Sequence, residues 1–133
     1  MALAAADDLA GIPLFDTLEP DERAAIAPWF ELEDVSPGVK LTGESATGYS
    51  FYVLRAGAAT VTIDGIGVRT LGAGDFFGEL ALLGDGRRTA TVTTAAPSEV
   101  LVLFGTEFRQ IQQKYPELAS RIESGLRQIA QAA

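Results

Sequence analysis

A mainly β fold, an eight-stranded jelly-roll-like β-roll with helices at either end, is what the sequence predicts, and three observations carry it. Between Phe30 and Phe104, apolar and polar residues alternate in short runs, the period of a half-buried strand. Turn residues break those runs, and Asp64-Gly65 between two alternating stretches is a hairpin signal. On both sides of this region the period lengthens to that of a helix. With 133 residues the chain is long enough for one core and too short for two ordinary ones, so a single domain over 1–133 is expected. Its parts are N-terminal helices over 1–29, the β-roll over 30–104 and C-terminal helices over 106–130.

The elements follow in order. Residues 2–10 are alanine-rich with Leu3 and Leu9 and read as a short helix ended by Gly11 and Pro13. A second helix starts at Pro20, which suits a first turn, with Asp21 and Glu22 complementing the N-terminal dipole and a stop near Pro28. Phe30 and Leu32 alternate with Glu31 and Glu33 before the Ser36-Pro37-Gly38 turn. Val39–Leu41 and Phe51–Leu54 read as strands around a Gly/Ser/Thr-rich loop at 43–50. Ala59, Val61 and Ile63 alternate with Thr60 and Thr62, and Ile66 and Val68 resume the pattern after the turn. Thr89–Thr94 and Glu99–Phe104 are strands around Pro97. Beyond Gly105, Thr106 suits an N-cap, and Phe108, Ile111 and Tyr115 recur at helical spacing. Pro116 restarts a helix with Leu118, Ile122, Leu126 and Ile129 on one stripe.

Composition narrows the function classes. The formal charge is −8 and no run of Lys or Arg exists to track a phosphate backbone, so nucleic acid is not an expected direct partner. Neither Cys nor His occurs, which removes thiolate and imidazole metal sites, Cys nucleophiles and Ser-His-Asp triads, and no metal is expected. No stretch of eighteen apolar residues exists, and Asp7 and Asp8 stand where a signal peptide needs bases, so a cytoplasmic protein without a membrane segment is expected.

Residues 74–92 interrupt the strand grammar with Gly-Asp-Phe-Phe-Gly-Glu-Leu-Ala-Leu-Leu-Gly-Asp-Gly-Arg-Arg-Thr-Ala-Thr-Val. A turn flanked by Gly74 and Gly78 enters a short apolar helical stretch, Leu80 to Leu83, whose first N–H groups are free to face an anion. A second turn at Gly84 and Gly86 then delivers Arg87, Arg88 and Thr89. The run closely resembles the phosphate-binding cassette of cyclic nucleotide-binding domains, found in catabolite-activator-type regulators, cyclic-nucleotide-dependent kinases and cyclic-nucleotide-gated channels. Phe77, Gly78, Glu79, Leu80 to Leu83, Arg88, Thr89 and Ala90 carry the match, including the nine positions from Glu79 to Arg88. The order of elements agrees with that family over roughly residues 12–130.

The resemblance implies a ligand site of Phe77, Gly78, Glu79, Leu80, Ala81, Arg88, Thr89 and Ala90. Arg88 would clamp the phosphate bidentately, joined by N–H groups at Gly78–Ala81 and the amides of Thr89 and Ala90. Glu79 would accept a hydrogen bond from the ribose 2′-hydroxyl. For Glu79 taken alone, capping the short helix and pairing with an arginine is the competing reading. Arg87 occupies a position where the family often has proline and should point to solvent. Phe77 and Val53 would line the ribose and base, and Leu118, Arg121, Ile122, Leu126 or Arg127 of the last helix would cover the base, unless that stripe only packs on the roll.

The function so implied is a non-catalytic receptor domain without a cofactor, whose ligand is cAMP or possibly cGMP. Its last helix would move on binding and signal to an effector, attached or associated, that this sequence does not contain. The same apolar stripe could form a homodimer. A non-binding homologue serving as an interaction or dimerisation module is the alternative.

Overall fold

Residues 2–42, 50–83 and 90–132 are described in the computed structural model of the chain. Strand β1 (Ala2–Leu3), helix α1 (Ala6–Leu9), a single 3-10 turn at Pro13–Phe15, α2 (Pro20–Ile26) and a second 3-10 turn at Ala27–Trp29 lead into β2 (Glu31–Val35). There follow β3 (Lys40–Thr42), β4 (Ser50–Ala56), β5 (Ala59–Ile63), β6 (Ile66–Leu71) and β7 (Phe76–Phe77). The chain ends with α3 (Leu80–Leu83), β8 (Thr91–Thr94), β9 (Ser98–Phe104), α4 (Gly105–Lys114) and α5 (Pro116–Ala132). The strands form two sheets, β1-β2-β9-β4-β7 and β3-β8-β5-β6, antiparallel throughout.

Strand parity divides the core into two layers. Along β4 and β9, Leu54, Val100 and Val102 point between the sheets and pack with Ala59, Val61, Leu71, Phe77 and Val92. Their alternates, Phe51, Val53, Leu101 and Leu103, point to the other face, where Phe15, Ile26, Phe108, Ile111, Ile122 and Leu126 of the helical segments cover them. Strand β9, buried on both faces, is accordingly an almost uninterrupted apolar run, and burying each such Leu or Val stabilises by about 1.5–3 kcal/mol.

The hairpin formed as expected. Asp64 and Gly65 take φ of 53° and 77°, the positive pair that a type I′ turn between twisted strands requires, and Ile63 pairs with Ile66 across it. At α2, Glu22 Oε1 accepts the Glu19 N–H at 2.8 Å, a reciprocal cap on a helix opened by Pro20.

Four expectations are corrected in detail. Nine strands occur among the described residues instead of eight: the seven runs placed from the sequence, with β1 and β7 of two residues each. Residues 2–10 are not one helix, because Ala2 and Leu3 pair with Leu32 and Glu31 on the open edge of β2, leaving only Ala6–Leu9 helical. Buried Leu9 and the Ala4 N–H bonded to Phe30 O at 3.0 Å hold the segment there. Thr106 is not the cap of α4, which begins one residue earlier with Phe104 as its capping residue. The strand expected over Thr89–Thr94 is described from Thr91, and most of the loop expected at 43–50 lies outside the described residues.

Candidate functional site

Backbone pairing fixes how the cassette is entered. The Leu54 N–H donates to Asp75 O at 2.8 Å and the Gly74 N–H to Leu54 O at 2.7 Å. The Asp75 carboxylate accepts the Gly72 N–H at 2.8 Å and closes the turn. Strand β7 then pairs Phe77 with Tyr52 and Phe76 with Val53. Alternation sends Phe77 between the sheets and leaves Phe76 against the helical layer, beside Phe51 at a centroid distance of 5.8 Å.

Gly78 makes the corner from strand to helix. Its φ of 78° lies in the left-handed region, which a side chain would penalise by about 1–2 kcal/mol. Next, the Glu79 carbonyl accepts the N–H groups of Leu82 and Leu83, both at 3.0 Å, and so starts α3. The N–H groups of Glu79, Leu80 and Ala81 therefore have no acceptor within the helix. Half-buried Glu79 has no hydrogen bond or ion pair to its carboxylate among the described residues. Glu79 thus caps α3 through its backbone carbonyl, and no arginine pairs with its carboxylate among the described residues. Ala90 is half-buried against the inner layer. Arg87, Arg88 and Thr89 lie outside the described residues.

Of the residues expected to contact the base, Val53, Leu118 and Ile122 are buried in this structure. Val53 is fully buried in the helical layer, on the opposite face of β4 from Phe77, because strand parity joins it to Phe51. Its neighbour Tyr52 takes the inner position instead. The Tyr52 ring stacks on Phe77 with centroids 4.9 Å apart and planes at 12°, and its hydroxyl reaches Leu41 O at 3.5 Å, across to the second sheet. Tyr52 is not singled out by the sequence, although the parity of the β4 run marks it as facing the same side as Leu54.

Leu118, Ile122 and Leu126 are buried in the helical layer with Leu14, Phe15 and Leu18 of the N-terminal segment, so here their stripe packs the fold. Arg121 is not free to stack on a base in this structure. Its Nη1 donates to Glu22 Oε1 at 3.0 Å and its Nη2 to Glu22 Oε2, a two-point pair that ties α5 to α2. The Arg121 guanidinium, then the Glu19 N–H, hold the Glu22 carboxyl below its ordinary value, and Glu22 raises the guanidinium in turn. Arg127 is exposed beside Leu82 and Leu83.

The cassette helix touches both layers of the fold. Leu82 is buried in the same apolar cluster as Phe108 and Ile111 of α4 and Leu126 of α5, while Phe77, three residues before α3, belongs to the inner layer. A displacement of α3 thus has a packed route to the C-terminal helices.

Residues 32–115 match the cyclic nucleotide-binding domain family. This chain belongs to that family. The domain is 34% identical over 128 residues to the cAMP-dependent protein kinase regulatory subunit of Colletotrichum orbiculare, covering 88% of this chain and 33% of the relative. It is 37% identical over 106 residues to the same subunit of Eremothecium gossypii, covering 79% and 23% respectively. Among solved structures it resembles the regulatory domain of Toxoplasma gondii PKA with cAMP, with a TM-score of 0.81 at 25% identity, over 96% of this chain and 49% of the other. The chain thus spans about a third or less of the length of these curated relatives. No helix among the described residues is long and apolar enough to cross a membrane.

Proposed function

We propose that this domain is a cAMP receptor: it binds the cyclic nucleotide at the cassette and passes the event through α3 to α4 and α5. The observation that carries this reading is Glu79, a half-buried carboxylate without a described partner at the head of a helix whose first N–H groups are unused. A carboxylate beside an anion site is repulsive unless a hydroxyl lies within its reach. A cyclic nucleotide supplies both, a phosphodiester for the N–H groups and Arg88, and a 2′-hydroxyl for Glu79.

In this reading Thr89 and Ala90 add backbone donors to the phosphate, and Phe77 with Tyr52 lines the interior behind it. The chain has no catalytic role of its own. Its effector is a protein or domain that reads the position of the C-terminal helices, as the name of the kinase regulatory subunits suggests for those relatives. The test is calorimetric titration of the ligand-stripped domain with cAMP and with its 2′-deoxy analogue. Loss of the hydroxyl should weaken binding by about 1–3 kcal/mol, because Glu79 then keeps its desolvation cost without a donor. Equal affinity for the two ligands would remove Glu79 from the site.

A further inference from the structure

The inner layer of the roll is aliphatic except at one place. Leu54, Val61, Leu71, Val92, Val100 and Val102 fill most of it, and its aromatic members among the described residues are Phe77 and Tyr52, which lie against each other. An aliphatic side chain at position 52 would fill the same layer, but tyrosine brings a hydroxyl with it. That hydroxyl points across the interior to Leu41 O in β3, at 3.5 Å, while the ring lies flat on Phe77.

The cassette turns away from its strand directly after Phe77. Strand β7 has two residues, so its ladder to β4 is two register pairs long, Tyr52 with Phe77 and Val53 with Phe76. So short a ladder leaves much of its placement to cross-strand side chains. Gly78 follows at a φ of 78°, and a glycine corner adds no rigidity of its own. Glu79 comes next, with its carbonyl accepting the first N–H groups of α3. Its position is therefore held from two sides, by Leu82 buried in the layer of α4 and α5 and by Phe77 stacked on Tyr52.

We infer that Tyr52 is a positioning residue for the ligand site: through Phe77 it fixes where the Glu79 carboxylate stands, and so sets the preference for a ribose 2′-hydroxyl. This rests on the reading of Glu79 as the acceptor of that hydroxyl. The tolerance is narrow, because an O–H···O bond spans only about 2.5–3.0 Å and a shift of about 1 Å takes the carboxylate out of reach. Arg88 stands nine positions after Glu79 in the chain, so loss of the stack should spare the phosphate contact and single out the hydroxyl.

Calorimetric titration of the ligand-stripped full chain with cAMP and 2′-deoxy-cAMP, well below the melting point of each variant, tests this. The parent should prefer cAMP by roughly tenfold or more. Tyr52→Leu keeps an apolar side chain but no ring to stack, and the preference should fall to about threefold or less, through weaker cAMP binding with the 2′-deoxy-cAMP affinity held. Tyr52→Ile, whose branched side chain suits a strand, stands in if Tyr52→Leu does not fold. The conservative Tyr52→Phe should restore the preference, and Val53→Thr, destabilised through the helical layer, should keep it. A preference that survives in Tyr52→Leu, stays lost in Tyr52→Phe, or falls equally in Val53→Thr would overturn the inference and leave the receptor reading in place. No binding by the parent, or equal affinity for the two nucleotides, would instead remove Glu79 from the site and this inference with it.

Discussion

Tyr52 and Phe77 stack face to face between the two sheets, with centroids 4.9 Å apart, while the adjacent pair in the same register, Val53 and Phe76, faces the helices. One ladder of hydrogen bonds thus sets both the interior wall of the cassette and its contact with the helical layer.

Truncating this stack should be costly. Phe77 is 7% exposed, so Phe77→Ala should lower unfolding stability by about 3–5 kcal/mol in urea melts. Tyr52→Phe keeps the ring and gives up only a long hydroxyl contact, and should cost under about 1 kcal/mol.

Val53 should separate stability from binding. Val53→Thr buries an unpaired hydroxyl in the helical layer and should destabilise by about 1–3 kcal/mol. Measured well below its melting temperature, the variant should bind cAMP as the parent does. A variant that melts normally and loses affinity would return Val53 to the binding surface.

The Glu22–Arg121 pair should give a pH-dependent contribution of definite sign. The Glu22 carboxyl is held below its ordinary value, so in the unfolded chain it takes up a proton at higher pH than in the folded one. Its contribution is therefore complete above the ordinary carboxylate range and is lost as pH falls through the lowered value. Arg121→Ala should melt below the parent at pH 7, and the gap should close on acidification. A gap that stays constant down to acidic pH would contradict this assignment. Both side chains are partly exposed, so the neutral-pH gap should also shrink with added salt.

How much of this was legible follows from the range of the interactions involved. The Asp64-Gly65 hairpin, the α2 start at Pro20 and the C-terminal stripe depend on neighbours in sequence and were readable as such. Strands β1 and β7 owe their existence to pairing with β2 and β4, about thirty and twenty-five residues away, and no local pattern marks a two-residue strand. The side that Val53 faces was not legible, because an apolar residue in a strand buried on both faces carries no mark of its side; only parity with Phe51 or Tyr52 does. The pairing of Arg121 was not legible for a related reason. Its partner Glu22 lies 99 residues earlier, on a helix whose docking against α5 is a tertiary fact. The family was legible because the motif that carries the resemblance is confined to one contiguous run.

The central claim is best tested by isothermal titration of the ligand-stripped domain with cAMP and cGMP beside an Arg88→Ala variant. The account predicts heat with cAMP, and a loss of about 2 kcal/mol, roughly thirtyfold in affinity, when the guanidinium is removed. No heat and no thermal shift with either nucleotide would contradict it, and would leave the domain as a protein-interaction module built on the same roll.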